Sequence, residues 1–183
     1  MNTSIKFIIL IHPHEAKRSV ATGRMAHLSL PNSLLIQGID FTLNSEVNRI
    51  ISDENNISLV LYPGKKSKNL SAIGADEKRK IFGDGKSVTI FVIDGTWRTA
   101  KKILRRSENI SQLDQICFKP ERPSGFKVRK QPKSHCYSTL EAISTVLGIM
   151  GNPDYQSLLN AFSYMVKQQL EFIERKASPR FIP

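Results

Sequence analysis

The residues with the clearest chemical potential lie where an apolar run gives way to a helical pattern, at Asp94-Gly95-Thr96-Trp97. The preceding run has the composition of a buried strand, and the segment from Trp97 has a helical period. A carboxylate at such a junction can accept hydrogen bonds from the helix N-terminus, so one interpretation of Asp94 is a simple N-cap. The other interpretation is that Asp94 acts on a ligand. The indole N–H of Trp97 could then donate a hydrogen bond to a carboxylate of that ligand.

Two histidine-containing motifs are weaker candidates. His12 and His14 stand two residues apart around Pro13 at a strand end, but a third ligand is lacking nearby, so no metal site is expected. His135 beside Cys136 would form a thiolate site only with an orienting group. Neither a G-x-G-x-x-G motif nor a P-loop occurs, so a Rossmann dinucleotide site and an NTPase have no support.

The candidate residues described above lie on a chain in which short apolar runs alternate with helical segments, and these elements must position them. This alternation predicts an α/β fold with an open, mostly parallel sheet and helices on both faces. The length of 183 residues predicts a single domain over residues 1–183, with a last helix over 153–178 packed on it. The predicted strands are Ile5–His12, Leu34–Ile39, Ser58–Tyr62, Val88–Asp94 and Gln115–Phe118. The other predicted helices are Ala21–Leu30, Asn44–Asn55, Ala75–Phe82, Trp97–Ser107 and a helix from Ser138 to Met150.

Residue patterns also predict which side chains these helices bury. Within Trp97–Ser107, the apolar stripe comprises Trp97, Ala100, Ile103 and Leu104. In the last helix, Leu158, Leu159, Phe162, Val166 and Ile173 are expected to face inward. Ser138-Thr139-Leu140-Glu141 matches a capping box, whereas Lys119–Tyr137 has no helical period and predicts a long irregular connection.

The charge of the chain is unusual and is concentrated in one segment. Lysine and arginine number 27 against 16 aspartates and glutamates, a net charge of +11, which indicates a polyanionic partner. Residues 98–133 hold 11 basic and 3 acidic residues, or +8. Phe126 lies among basic residues there and is a candidate for stacking on single-stranded bases, which favours RNA slightly over DNA. A solvated basic face is the plainer interpretation.

Two cysteines without a disulfide-scaffold pattern indicate a reducing compartment, and we expect a cytoplasmic protein. No segment approaches the roughly 20 apolar residues that cross a bilayer, so no membrane partner is expected. We expect a monomer, although the sequence leaves the oligomeric state open.

Together these motifs resemble the DTW-domain family, which is named for its Asp-x-Thr-Trp motif. Five blocks stand in the family's order over about residues 8–150, and this order makes the match specific. The blocks are His12-Pro13-His14-Glu15-Ala16-Lys17 with Thr22-Gly23-Arg24, then Leu61-Tyr62-Pro63-Gly64, Asp94-Gly95-Thr96-Trp97, Val128-Arg129-Lys130-Gln131-Pro132 and Ser138-Thr139-Leu140-Glu141-Ala142. The N-terminal cysteine cluster of many members is missing, so a zinc module is not implied.

The resemblance implies a tRNA-uridine aminocarboxypropyltransferase. Such enzymes move the 3-amino-3-carboxypropyl group of S-adenosylmethionine to N3 of a uridine and release methylthioadenosine. The resemblance also implies a SPOUT-like fold whose C-terminal part can be knotted.

The resemblance further implies roles for individual residues. Asp94 would be catalytic, either accepting the N3 proton or holding the substrate amino group. The cofactor pocket would be lined by Thr22, Leu61, Tyr62, Pro63, Thr96, Trp97, Ser138 and Thr139. The tRNA phosphates would be bound by Arg24, Arg98, Lys101, Lys102, Lys127, Arg129 and Lys130.

Two other functions remain open from the sequence. A SPOUT-type RNA methyltransferase would use the same cofactor but release S-adenosylhomocysteine. A non-catalytic RNA-binding domain would keep the basic segment and have no turnover to lose.

Overall fold

A computed structural model describes residues 5–18, 20–83, 85–128 and 136–177. The chain divides into two compact units, of which the first ends at Lys119 and the second begins at Pro120. None of the helices in the described ranges is both long enough and apolar enough to span a membrane.

The first unit is built on a six-stranded sheet in the order β2-β1-β5-β3-β6-β4, and its five neighbouring pairs of strands are all parallel. The strands are β1 (Ile5–Ile11), β2 (Ser33–Gln37), β3 (Asn56–Leu61), β4 (Lys68–Asn69), β5 (Ser87–Asp94) and β6 (Asp114–Cys117). The helices of this unit are α1 (Pro13–Ala16), α2 (Thr22–Ser29), α3 (Ser45–Ile51), α4 (Ala75–Phe82), α5 (Trp97–Arg106) and α6 (Glu108–Ser111).

The middle of the sheet is apolar because both faces of its central strands are buried. In β1, the consecutive residues Phe7 to Ile11 are each at most 1% exposed. Successive side chains of a strand point to opposite faces of the sheet, so both faces are covered here. One face packs on α3, α5 and α6 in a single core cluster. Its buried members are Ile8, Leu10, Phe41, Val47, Ile50, Val60, Phe91, Ile103, Leu104 and Ile110.

The second unit contains α7 (Thr139–Ile149) and α8 (Tyr155–Ala177), which pack against each other. Ser138 and Glu141 form the predicted capping box at the start of α7. The Glu141 carboxylate is buried and also accepts hydrogen bonds from the hydroxyl of Ser124 and, at 2.7 Å, the backbone N–H of Gly125. One side chain therefore caps the helix and holds the segment before it.

The structure confirms the parallel α/β architecture. The ends of the predicted strands and helices lie within a few residues of the observed ends. Two burial predictions and one predicted base contact are wrong. Trp97 is 44% exposed instead of part of the buried stripe of α5, and Ile173 is exposed instead of facing inward. Phe126 is buried against Phe162, with ring centroids 6.1 Å apart, so it is a core residue of the second unit and has no free face for a base.

Candidate active site

Asp94 is the last residue of β5, at the carboxyl edge of the sheet. It is paired with Ile11 at the end of β1, and the His12 N–H donates a 2.9 Å hydrogen bond to the Asp94 carbonyl. The side chain is 6% exposed. Ligands of open parallel sheets bind outside the carboxyl ends of the strands, so Asp94 occupies the position from which a carboxylate can act on one.

Asp94 is not the N-cap of α5, so that interpretation is wrong. Thr96 is the N-cap, and its hydroxyl accepts a 3.2 Å hydrogen bond from the Thr99 N–H. The Asp94 carboxylate lies instead against the first turn of α2, where Gly23 is buried. A Cβ on Gly23 would stand 2.8 Å from the carboxyl carbon of Asp94, which is closer than real side chains approach. The contact therefore depends on a residue without a side chain.

An aromatic pair lies at the same edge. Tyr62 follows directly after β3, and Trp97 is the first residue of α5. Their rings are arranged edge to face, with centroids 6.4 Å apart. The Tyr62 N–H donates to the Ile116 carbonyl, which fixes the backbone at this point. Because Trp97 is half exposed, its ring offers an aromatic surface to a ligand.

Next to Thr96, α1 and α5 line a cavity of about 860 Å³, which we call the α1–α5 cavity. Its walls carry six lysine and arginine side chains, two histidines and a single carboxylate, that of Glu15. Glu15 is paired with Arg18 at 3.3 Å. The lining residues are His12, Pro13, His14, Glu15, Arg18, Ile39, Thr96, Arg98, Thr99, Lys101, Lys102, Arg105 and Arg106.

His12 has a defined hydrogen-bonding state in this cavity. Its Nδ1 accepts a 3.2 Å hydrogen bond from the His14 N–H and so caps α1. Burial, the adjacent His14 and the charge of Lys102 lower the pKa of His12 below its ordinary value of 6.5. The imidazole is therefore neutral at pH 7, with its proton on Nε2.

The structure brings most of the predicted site residues of the first unit to this edge. Thr22 begins α2 beside Gly23, and Leu61 ends β3 just before Tyr62 and Pro63. Arg24 is exposed, and its guanidinium donates to the Ala16 carbonyl. Arg98, Lys101 and Lys102 line the α1–α5 cavity.

Three predicted residues lie in the second unit, and two lie outside the described ranges. Ser138 and Thr139 are buried at the start of α7, and Lys127 is exposed. Arg129 and Lys130 belong to the part of the chain that the structure does not describe.

Within the described residues, only the metal motif can be compared with the structure. No group of three or more histidine, cysteine, aspartate or glutamate side chains there could hold a metal ion. Neither cysteine forms a disulfide, and burial raises the pKa of Cys117, which disfavours its thiolate. His135 lies outside the described ranges.

Sequence reasoning missed two features of the site. It considered His12 and His14 as metal ligands and as part of a family block, and gave them no other role, although their position at a strand end places them at the same edge as Asp94. It also used Gly23 only as a member of the Thr22-Gly23-Arg24 block. The contact of Gly23 with Asp94 joins residues far apart in the sequence, and no local pattern signals it.

The chain is similar in sequence to proteins that share one name. The chain is 30% identical over 175 residues to "tRNA-uridine aminocarboxypropyltransferase 2" of Drosophila melanogaster, covering 92% of this chain and 66% of that protein. It is 27% identical over 175 residues to a protein of the same name from Macaca fascicularis, covering 93% of this chain and 57% of that one. The chain thus spans less than two thirds of the length of these two relatives.

A solved structure shares the fold at low sequence identity. It is titled "Structure of the SAM-dependent rRNA:acp-transferase Tsr3 from Vulcanisaeta distributa" and matches with a TM-score of 0.51 and 15% identity. The match covers 93% of this chain and 82% of that one. The model of the DTW domain family matches residues 1–170, nearly the whole chain. The chain therefore belongs to the DTW domain family.

Proposed function

We propose that this protein transfers the 3-amino-3-carboxypropyl group of S-adenosylmethionine to N3 of a uridine in tRNA and releases methylthioadenosine. The observation that carries the proposal is the position of Asp94, buried at the carboxyl end of a central strand within the family's Asp-x-Thr-Trp motif. The family membership and the names of the curated relatives support the same reaction.

The residues of the first unit fit S-adenosylmethionine. Its sulfonium is a cation, and both a carboxylate and the faces of aromatic rings attract cations. Asp94 supplies the carboxylate, and Tyr62 and Trp97 supply the rings. We assign Thr22, Leu61, Pro63 and Thr96 to the same pocket because they lie at the same strand and helix ends. Ser138 and Thr139 stay predicted cofactor residues.

When bound, S-adenosylmethionine supplies an electron-poor γ-carbon beside its sulfonium sulfur. The N3–Cγ bond forms as the Cγ–S bond breaks, the electron pair of that bond stays on sulfur, and the N3 proton leaves the uridine. Two roles of Asp94 suit this balance: it accepts the N3 proton, or it holds the amino group of the transferred chain while the N3 proton passes to solvent. In either role, most of the rate is expected to come from positioning.

Product analysis of the purified protein tests the proposal. With S-adenosylmethionine and unmodified tRNA, we expect methylthioadenosine, and Asp94→Asn should lower its release by about 100-fold or more, as for general acid–base groups. Asp114→Asn is the matched control, because Asp114 is an exposed acid on β6 with only a 3.9 Å contact to Lys68. A folded wild-type protein that makes no methylthioadenosine with several tRNAs would contradict the proposal.

The same variant separates the two roles of Asp94. A proton acceptor lost in Asp94→Asn should lower kcat and leave the Kd of S-adenosylmethionine within about threefold. A lost anchor for the amino group should raise that Kd as well. Release of S-adenosylhomocysteine would instead indicate a methyltransferase, and tRNA binding without either product would indicate an RNA-binding domain.

We also propose the finer assignments of fold and location. The parallel sheet order supports a SPOUT-like class, and a knot in the C-terminal part goes with that class. Residues 1–183 are proposed to act as one domain that includes the last helix, as a cytoplasmic monomer.

A further inference from the structure

The α1–α5 cavity is a strongly cationic site whose ligand the function proposed above leaves undefined. Six cationic side chains face a single carboxylate, which is already paired with Arg18. Like charges gathered around a cavity repel one another, so the arrangement favours an anionic occupant over water. At about 860 Å³ the cavity is large enough for a nucleotide-sized group.

The charge of the cavity distinguishes between the two substrates. S-adenosylmethionine has a sulfonium and an ammonium group against one carboxylate, so its net charge is positive and six basic side chains would repel it overall. Among the residues assigned to the cofactor, Thr96 alone lines the cavity, whereas the residues assigned to RNA include Arg98, Lys101 and Lys102 from its wall. The cavity therefore borders the cofactor site at Thr96 without being part of it.

We propose that the α1–α5 cavity binds backbone phosphates of the tRNA beside the uridine that reacts. This inference rests on the proposed function and adds to it a defined site, with Arg105 and Arg106 of α5 and the α1 side as further contacts. It also assigns a role to His12. Because Nδ1 is occupied by the His14 N–H, neutral His12 presents Nε2–H as a donor to a phosphate oxygen.

Paired charge variants on two helices test the site. Lys102→Ser with Arg105→Ser removes two exposed cations from the cavity, and Arg79→Ser with Lys80→Ser removes two exposed cations from α4, outside it. Each phosphate contact contributes roughly 0.7 to the slope of the logarithm of the tRNA binding constant against the logarithm of the salt concentration. The loss of two contacts in the cavity variant should therefore reduce this log–log salt slope by about 1.4. We expect its tRNA affinity at low salt to fall about tenfold or more, and that of the control by less than about threefold.

A second variant tests His12 without losing the cap of α1. Asparagine is a favoured N-cap, so His12→Asn keeps an acceptor for the His14 N–H and removes the imidazole donor. We expect the KM for tRNA to rise about tenfold while the KM for S-adenosylmethionine and the Tm stay near wild type.

The outcomes separate this inference from the proposed function. Equal losses of tRNA affinity in the cavity and α4 variants, or a loss confined to S-adenosylmethionine binding, would overturn the cavity as the RNA site. Because tRNA affinity is measured without turnover, a wild-type protein that makes no methylthioadenosine would overturn the reaction alone. Binding of tRNA through the cavity would then still stand.

Discussion

At Asp94, the absence of one side chain decides how close a helix can come to the carboxylate. Gly23 lies in the first turn of α2, where the positive end of the helix favours a negative charge. Because Gly23 has no side chain, the Asp94 carboxylate can occupy the space beside the first turn of α2, so the role of the glycine is steric. A residue of this kind is a positioning residue, because it acts through Asp94.

Gly23→Ala should therefore displace the Asp94 carboxylate. The added methyl group would meet the carboxylate, so either Asp94 or α2 must shift, and we expect kcat to fall about tenfold to 100-fold, as misplaced catalytic groups do. Gly74→Ala is the matched control, because nothing lies within 4 Å of its added Cβ. Steady-state release of methylthioadenosine measures the effect, and equal activity of the two variants would contradict it.

His12 should make the stability of the protein depend on pH. Its pKa in the folded protein is lowered, chiefly by burial and then by His14 and Lys102, so the unfolded chain binds a proton first as the pH falls. The contribution of His12 to stability is therefore lost as the pH decreases from about 6.5 toward the folded-state pKa, and it does not change above that window.

Thermal unfolding of wild type and His12→Asn between pH 7.5 and pH 5 measures this loss. Carboxylates titrate in both proteins, so the difference between the two Tm values isolates the histidine. We expect wild type to lose more than the variant at the acidic end of the range. A wild type that gains on the variant as the pH falls would contradict the assigned direction.

At the scale of elements, Glu141 joins α7 to the segment that precedes it. Its two carboxylate oxygens accept backbone N–H groups on opposite sides, from Gly125 at Oε1 and from Ser138 at Oε2. A glutamine amide has only one oxygen, so in either orientation its NH₂ group would face an N–H donor. The network therefore requires a carboxylate and not merely a polar side chain.

Glu141→Gln should destabilise the second unit by about 1–3 kcal/mol, the cost of an unsatisfied buried group. For a protein of this size that loss lowers the Tm by roughly 2–4 °C per kcal/mol. Amide hydrogen exchange at Ser124 to Phe126 should become faster as well. Glu121→Gln, an exposed residue of the same segment, is the control, and equal exchange in both variants would contradict the assignment.

The longer elements were predictable because burial dictates their patterns. The run Phe7 to Ile11 is buried on both faces, and Ser138 and Glu141 carry their capping role in their spacing. The short elements were not: α1 and α6 have four residues each, too few for a helical period, and β4 has two. The prediction that Trp97 is buried was wrong because its ring contacts Tyr62 and does not join the buried stripe of α5.

At the scale of the whole molecule, the positive charge behind the net value of +11 lies partly in the α1–α5 cavity and partly elsewhere on the chain. Part of it lines the α1–α5 cavity, a convergence of residues 12–18 with 96–106 that sequence patterns cannot show. The rest includes Lys127, exposed in the second unit, with Arg129 and Lys130 after it in the sequence. The basic segment was evident from composition, whereas the cavity needed the fold.

Lys127→Ala with Arg129→Ala and Lys130→Ala should weaken tRNA binding and reduce its log–log salt slope by about 2, at roughly 0.7 per phosphate. Binding titrations from low to moderate salt measure the slope, and the α4 variant Arg79→Ser with Lys80→Ser controls for the general loss of charge. An unchanged slope would move this RNA contact to another part of the molecule.

The strand order has a consequence for how the protein is made. Among the described strands, β1 can pair with β2 early, but β3 pairs only with β5 and β6, which both follow it in the chain. During synthesis, β3 and one edge of β1 therefore wait with unpaired backbone groups, a state prone to aggregation. Translation of β5 fills the gap between β1 and β3, while the other edge of β3 stays unpaired until β6 follows; the final residue of β5 is Asp94. A nascent chain that has not reached β5 thus lacks both the centre of the sheet and the carboxylate, so the strand that joins the two halves of the sheet and the candidate catalytic group are made together.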